Sequence, residues 1–234
     1  MSADARRCWQ TATRACAIPI PRDQVHARGG ECLVAAWRPR ADAAPRILLS
    51  APSTAFLVSP RHVMTAAHAL PPQGDPDVVY AFGYAADTFR AAERGLPAYF
   101  ELRAASVFRV RAVERRVLGV REGDCALIEL ERDVPADVAV PLTFASREPQ
   151  LGEPIALAGC ADGQPVAMRD GSVLGFDAIW LDHDVEAGPG WSGAPVLDAQ
   201  GGVLATHTGT AVGAALAASA VAGGVRRMRG SRVV

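Results

Sequence analysis

The chain alternates short apolar runs with turn-forming residues and carries few long amphipathic stripes. After Pro19 the runs ILLS (47–50), TAFLVS (54–59), HVMTAAH (62–68), DVVYAFG (77–83), SVFRVRAV (106–113), CALIEL (125–130), PIALAGC (154–160), SVLGFDAIWL (172–181), APVLD (194–198) and GVLATHTG (202–209) are rich in β-branched and aliphatic residues. Gly, Pro and Asp separate them, which is how an antiparallel all-β protein punctuates its turns. Residues 1–18 differ: they are alanine-rich, and Cys8, Trp9, Ala12 and Cys16 fall roughly on one face of a helix. Residues 131–154, ERDVPADVAVPLTFASREPQLGEP, carry prolines and no strong strand period, so they are expected to connect two β units. The expected organisation is a helical arm over 1–24, a first β unit over 25–135 and a second over 136–234. No internal repeat is visible, and the only biased tract is the small-residue stretch Ala211 to Gly224.

Composition narrows the function classes. With 234 residues, half of them hydrophobic, the chain can bury a substantial core. Lys plus Arg number 24 against 25 Asp plus Glu, a net charge of -1, which gives no electrostatic reason to expect nucleic acid or an anionic membrane as partner. The sequence contains neither Lys nor Asn. A Ser-Lys dyad and N-glycosylation are therefore both excluded. The N-terminal stretch MSADARRCWQTATRAC has no apolar run of signal-peptide length, and no later segment is long and apolar enough to span a bilayer, so a cytoplasmic protein is expected. The five cysteines (Cys8, Cys16, Cys32, Cys125, Cys160) lack CxxC spacing and signal neither a disulfide framework nor a zinc site.

Three polar residues stand in motif contexts: His68 closes the run TAAH, Asp124 opens the strand in GDCALIEL, and Ser192 sits in GPGWSGAPV, at separations of 56 and 68 residues. A serine hydroxyl is a poor nucleophile at neutral pH and needs a base within hydrogen-bond reach, for which imidazole is suited. A carboxylate on the other ring nitrogen selects the tautomer and stabilises the imidazolium. In this order and these contexts, the chain from about Ala51 to Gly209 resembles a trypsin-like serine protease, the chymotrypsin fold in its bacterial, disulfide-poor form. The resemblance implies two antiparallel six-stranded β-barrels, over 25–135 and 136–234, with the cleft between them. It implies His68 as base, Asp124 as its orienting acid and Ser192 as nucleophile, no cofactor and no metal, and a peptide or protein as substrate. Backbone N–H groups of Gly190 and Ser192 would then bind the developing oxyanion.

Two residues compete to define the pocket for the side chain on the acyl side of the cleaved bond. His207 lies in SGAPVLDAQGGVLATHTG, which resembles the glutamyl-endopeptidase branch, where a histidine in the strand VxGxHxG would bind a substrate carboxylate. Glu186, six residues before Ser192, holds the position of the acidic pocket floor of trypsin itself, which would select Arg or Lys. The glutamyl branch often carries threonine where this chain has Ala187. The strand with Thr206, His207, Thr208 and Gly209 is expected to pair with substrate backbone. Trp191 replaces the aspartate that, in zymogen-type relatives, pairs with a newly released N-terminus, so no activating cut is expected.

His26, His62 and His183 are read as surface or loop residues, and Cys125 and Cys160 as packed strand residues. GWSGA also approaches the nucleophile elbow of an esterase, but such enzymes place the acid and histidine after the serine, usually far along the chain, whereas here only Asp198 and His207 follow it, closely, and no βα alternation is visible. A binding module that keeps the fold without turnover is the other alternative. An intracellular protease needs restraint, and the N-terminal arm is the candidate surface for a regulatory protein partner.

Overall fold

Along residues 78–82, Tyr80 and Phe82 join one buried apolar cluster while Val79 and Ala81 join another. That is the period-2 division of a strand between two faces, here with both faces covered. The computed structural model describes residues 8–9, 11–22, 25–28, 30–35, 53–70, 78–91, 99–119, 123–161, 164–210 and 228–232. The expected strand at 47–50, the start of the arm at 1–7 and the tract 211–224 lie outside the described residues.

In chain order the strands are β1 (Cys16–Pro21), β2 (Val25–Arg28), β3 (Glu31–Ala35), β4 (Ala55–Ser59), β5 (His62–Thr65), β6 (Val78–Phe82), β7 (Phe89–Arg90), β8 (Tyr99–Arg103), β9 (Val107–Gly119), β10 (Gly123–Leu130), β11 (Pro154–Cys160), β12 (Val166–Phe176), β13 (Trp180–His183), β14 (Pro195–Leu197), β15 (Val203–Thr210) and β16 (Met228–Arg232). They close into two six-stranded antiparallel barrels, β1-β4-β5-β10-β9-β6 and β11-β12-β13-β16-β15-β14. The all-β double barrel expected from the sequence is the architecture found. Closure removes the unpaired edges that an open sheet would present.

Leu57, Val63, Tyr80, Phe82, Phe108 and Ile128 fill the first barrel, and Ile155, Leu157, Val173, Leu181, Val196 and Leu204 the second. A third cluster joins Cys16 and Phe56 of the first barrel to Ala156, Ala158, Leu197 and Val203 of the second. A four-stranded antiparallel sheet, β2-β3-β8-β7, adds to the expected architecture. Phe100 and Leu102 of β8 pack on Ile18 and Ile20 of β1 and on Val79 and Ala81 of β6, so this sheet covers the outer face of the first barrel.

The N-terminal arm departs from expectation at its end. Helical residues lie at Cys8, Trp9, Thr11 and Ala12, and a 3-10 turn covers Thr13–Ala15, but the chain is a barrel strand from Cys16 onward. Residues 16–21, placed in the arm by sequence, pair with β4 at Cys16 and Ala17 and with β6 from Ala17 to Pro21. Pro19 and Pro21 lack N–H groups. Both are in register with β6 but lie beyond the last pair with β4, so the ladder to β4 loses no bond to them. Of the face expected from Cys8, Trp9, Ala12 and Cys16, the last three enter the inter-barrel cluster, while Cys8 is exposed.

Residues 131–153 contain no strand, and hydrogen bonds lay them along both units: Val134 N–H donates to Pro60 O and Leu142 N–H to Leu57 O in the first barrel, Ala145 N–H to Val203 O in the second. Among the described residues no helix is long and apolar enough to cross a membrane.

Candidate active site

β10 pairs with β5 so that Ala126 faces Thr65. Asp124 lies two residues before that pair and His68 three after it, on the 3-10 turn Ala67–Ala69. The register therefore brings the two side chains together at one end of the first barrel. His68 N–H donates to Asp124 Oδ1 at 3.0 Å, and His68 Nδ1 lies 2.5 Å from Asp124 Oδ2. An ionised carboxylate only accepts, so Nδ1 carries the proton and Nε2 presents a lone pair. That lone pair faces Ser192 Oγ at 3.0 Å, across from the second barrel. Asp124 is buried and His68 exposed, so the line runs from the protein interior out to solvent.

The serine sits on a backbone that few residues can follow. Gly188 C=O accepts from Trp191 N–H at 3.3 Å, Pro189 holds the second position and Gly190 the third with φ of 95°. These are the marks of a type II turn, which needs positive φ at its third residue. Gly193 has φ of 89°, and a Cβ there would collide with the Thr54 carbonyl and the Thr65 hydroxyl. The N–H groups of Gly190 and Ser192 donate to no backbone carbonyl among the described residues. Such an array can take a proton from an attacking hydroxyl and offer N–H donors to an anion.

The pocket candidates separate clearly. Glu186 is exposed, whereas His207 is 2% exposed and Ala187 6%. Thr206 is buried, Thr208 and Gly209 half-buried, and β15 pairs Thr206 with Pro195 beside the serine loop. His207 N–H donates to Ala194 O, and Gly193 N–H donates to His207 O. The strand is thus tied directly to the serine loop.

His183, read as a surface residue, is instead fully buried and lies with Nε2 3.2 Å from His207 Nδ1. Its Nδ1 accepts from Val185 N–H at 3.2 Å, so Nε2 must donate to His207, leaving the proton of His207 on its own Nε2. Burial first, then the neighbouring His183 and His68, push His207 down to about 3. Burial lowers His183 to about 4, with Asp184 opposing. Both rings are neutral at neutral pH. The alternation in WLDH, which buries Leu181 and His183, was the available signal for this second histidine.

Trp191 is also buried, and its ring lies against Gly159, where a Cβ would overlap it. Cys160 is fully buried and Cys125 partly so, with burial pushing the Cys125 thiol up, as suits packed strand residues. His62 on β5 is half-buried, bonded to Ser59 Oγ at 2.7 Å and 3.2 Å from Glu114. The side chain of His26 lies outside the described residues.

The family model described as trypsin-like peptidase domain matches residues 53–205. No curated protein sequence matches the chain. Among solved structures it is similar to Rv3671c protease from M. tuberculosis in its active form, at 16% identity and a TM-score of 0.60 over 97% of this chain and 79% of that one. It is likewise similar to two inactive forms of Rv3671c, at 15% identity and TM-score 0.58 and at 18% and 0.56, over 97% of this chain and 84% and 87% of theirs. At such identities the likeness is one of fold.

Proposed function

Because this chain belongs to the trypsin-like peptidase domain family, we propose that it is a serine endopeptidase working through an acyl-enzyme. The observation that carries this reading is the unbroken hydrogen-bonded line from Asp124 through His68 to Ser192. Ser192 Oγ attacks the peptide carbonyl as its proton passes to His68 Nε2, with Asp124 stabilising the imidazolium. The carbonyl oxygen becomes an anion held by the N–H groups of Gly190 and Ser192. His68 then gives the proton to the departing amine, leaving an acyl ester on Ser192. A water molecule, deprotonated by His68, attacks that ester and releases the acid, and the proton returns to Ser192.

The preferred substrate carries Glu or Asp on the acyl side of the cleaved bond. His207 supports this choice through its Nε2–H, a donor fixed by the hydrogen bond its other nitrogen accepts from His183. Glu186 supports the alternative, Arg or Lys, poorly, because an exposed carboxylate is solvated and screened. The nearness in motif to the glutamyl-endopeptidase branch points the same way. Trp191 supports activity without a terminal cut, since its ring is held by apolar packing and needs no ammonium partner.

The test pairs an activity probe with a peptide panel. A fluorophosphonate is expected to label the intact chain and to leave Ser192→Ala unlabelled, which separates an enzyme from a binding module. Among peptides differing only in that one residue, Glu is expected to be cleaved faster than Arg or Leu. Preference for Arg overturns the acidic assignment, and hydrolysis of acyl esters with no cleavage of any peptide overturns the peptidase reading.

A further inference from the structure

Thr54 lies just ahead of β4 on the first barrel, is completely buried, and spends every polar atom on the loop that carries Ser192 or on its surroundings. Its hydroxyl donates to Gly190 O at 2.9 Å and accepts from Cys160 N–H at 3.0 Å. Its N–H donates to Ser192 O at 2.8 Å. Its carbonyl accepts from the Thr65 hydroxyl at 2.7 Å and occupies the space a side chain on Gly193 would need.

Four successive peptide units run from Pro189 to Gly193, and these contacts treat them alternately. The Gly190–Trp191 unit is held at both ends, its C=O by the Thr54 hydroxyl and its N–H by Gly188 O. The Ser192–Gly193 unit is held at both ends, its C=O by Thr54 N–H and its N–H by His207 O. The other two units, Pro189–Gly190 and Trp191–Ser192, carry the N–H groups of Gly190 and Ser192. The Pro189–Gly190 unit makes no backbone hydrogen bond of its own among the described residues, so its orientation is inherited from its neighbours. Types I and II of a four-residue turn differ by a flip of this central peptide. Here a flip would turn the Gly190 N–H away from its present direction.

We propose that Thr54 is a positioning residue that locks the Gly188–Trp191 turn in the state presenting the Gly190 N–H to the oxyanion, so that the first barrel sets the oxyanion site of the second. This rests on the peptidase reading for its kinetic consequences but not for its structural one. The grip is geometric: a rigid β-branched side chain, fixed at χ1 by burial, spans the barrel interface and ends on the carbonyl next to the free peptide.

Thr54→Val keeps the shape and removes the hydroxyl, and Thr54→Ser keeps the hydroxyl. Loss of an entire oxyanion donor costs about a hundredfold to a thousandfold in kcat. A turn that merely samples the flipped state is expected to cost about tenfold to a hundredfold by the same reasoning. Thr54→Val should lower kcat by that factor with KM changed less than about twofold, because the lost contact acts only on the transition state. A peptide aldehyde, whose adduct places an oxyanion in the site, should lose affinity in parallel, while a product peptide acid should not. Thr54→Ser should recover most of kcat.

The turn itself is read by the Gly190 amide in NMR spectra of labelled protein: one sharp signal in the parent and Thr54→Ser, and a doubled or exchange-broadened one in Thr54→Val. An unchanged kcat together with an unchanged Gly190 signal in folded Thr54→Val overturns the proposal, as does an equal loss in Thr54→Ser. A parent chain that neither cleaves peptides nor reacts with fluorophosphonate, yet shows the Gly190 response, sinks the peptidase reading and leaves the positioning role standing.

Discussion

At the scale of single residues, the site depends on which nitrogen of His68 holds a proton. Asp124 decides this by accepting from Nδ1 while its other oxygen accepts from the His68 backbone, so the ring is fixed in orientation as well as tautomer. Asp124→Asn keeps the shape but offers an amide N–H to the ring, which favours the tautomer with its proton on Nε2. The variant is expected to fold normally and to lose about 10⁴ in kcat. Steady-state kinetics beside a melting curve checks this, and a loss below tenfold would leave Asp124 without its assigned role. The three residues that hydrogen bonds join were legible in the sequence because the chemistry proposed for them demands particular types: a hydroxyl, an imidazole, a carboxylate, and glycines where φ is positive. Thr54 was not legible, and His183 was legible only as an inward strand position through the alternation in WLDH. A buried threonine or histidine does not reveal its partner until folding shows what faces it.

At the scale of elements, the arm and β1 show how a local pattern can name the right face and the wrong element. Alanine content and spacing predicted a helix through residue 18, yet Cys16–Pro21 is a strand, because barrel closure supplies hydrogen-bond partners on both sides that no local preference can foresee. What precedes it docks on the second barrel: Trp9 is 3% exposed, packs beside Leu197 and Val203, and donates its indole N–H to Asp198 O. The arm is therefore attached to both barrels. Trp9→Ala is expected to destabilise the protein by about 3 to 5 kcal/mol, the usual range for removing a buried aromatic. Urea unfolding would measure it, and a change below about 1 kcal/mol would mean that the arm is peripheral. Among the described residues of the arm, the face carrying Trp9 and Ala12 is covered by the chain's own second barrel, while Cys8 and Thr11 are exposed.

At the scale of the whole molecule, folding places two neutral imidazoles in contact within the second barrel. In the unfolded chain a histidine titrates near 6.5, whereas His183 and His207 in the fold are lowered to about 4 and about 3. The unfolded state thus binds more protons below about pH 6.5, so stability is full above that value and falls as pH drops toward 4 and then 3. Between pH 6 and 4.5 the unfolding free energy should decline with a slope approaching about two protons taken up on unfolding. Denaturant titrations across this range would measure the slope, which should fall by about one proton in His207→Gln. A flat stability profile would show that the two rings are not held neutral by the fold.

Taken alone, the sequence determined the class of fold, the order of its strands along most of the chain and the three residues of the polar line. Apolar alternation and turn formers are local properties, and nucleophilic chemistry restricts residue types wherever they sit. Only the tertiary structure decided that β1 joins the first barrel, that an additional sheet covers it, that His183 stands behind His207 while Glu186 faces solvent, and that Thr54 reaches across to hold the serine loop. Each of these depends on which distant segments share a buried space, and burial converts an ordinary hydroxyl or imidazole into a fixed donor or acceptor because no water remains to compete for it.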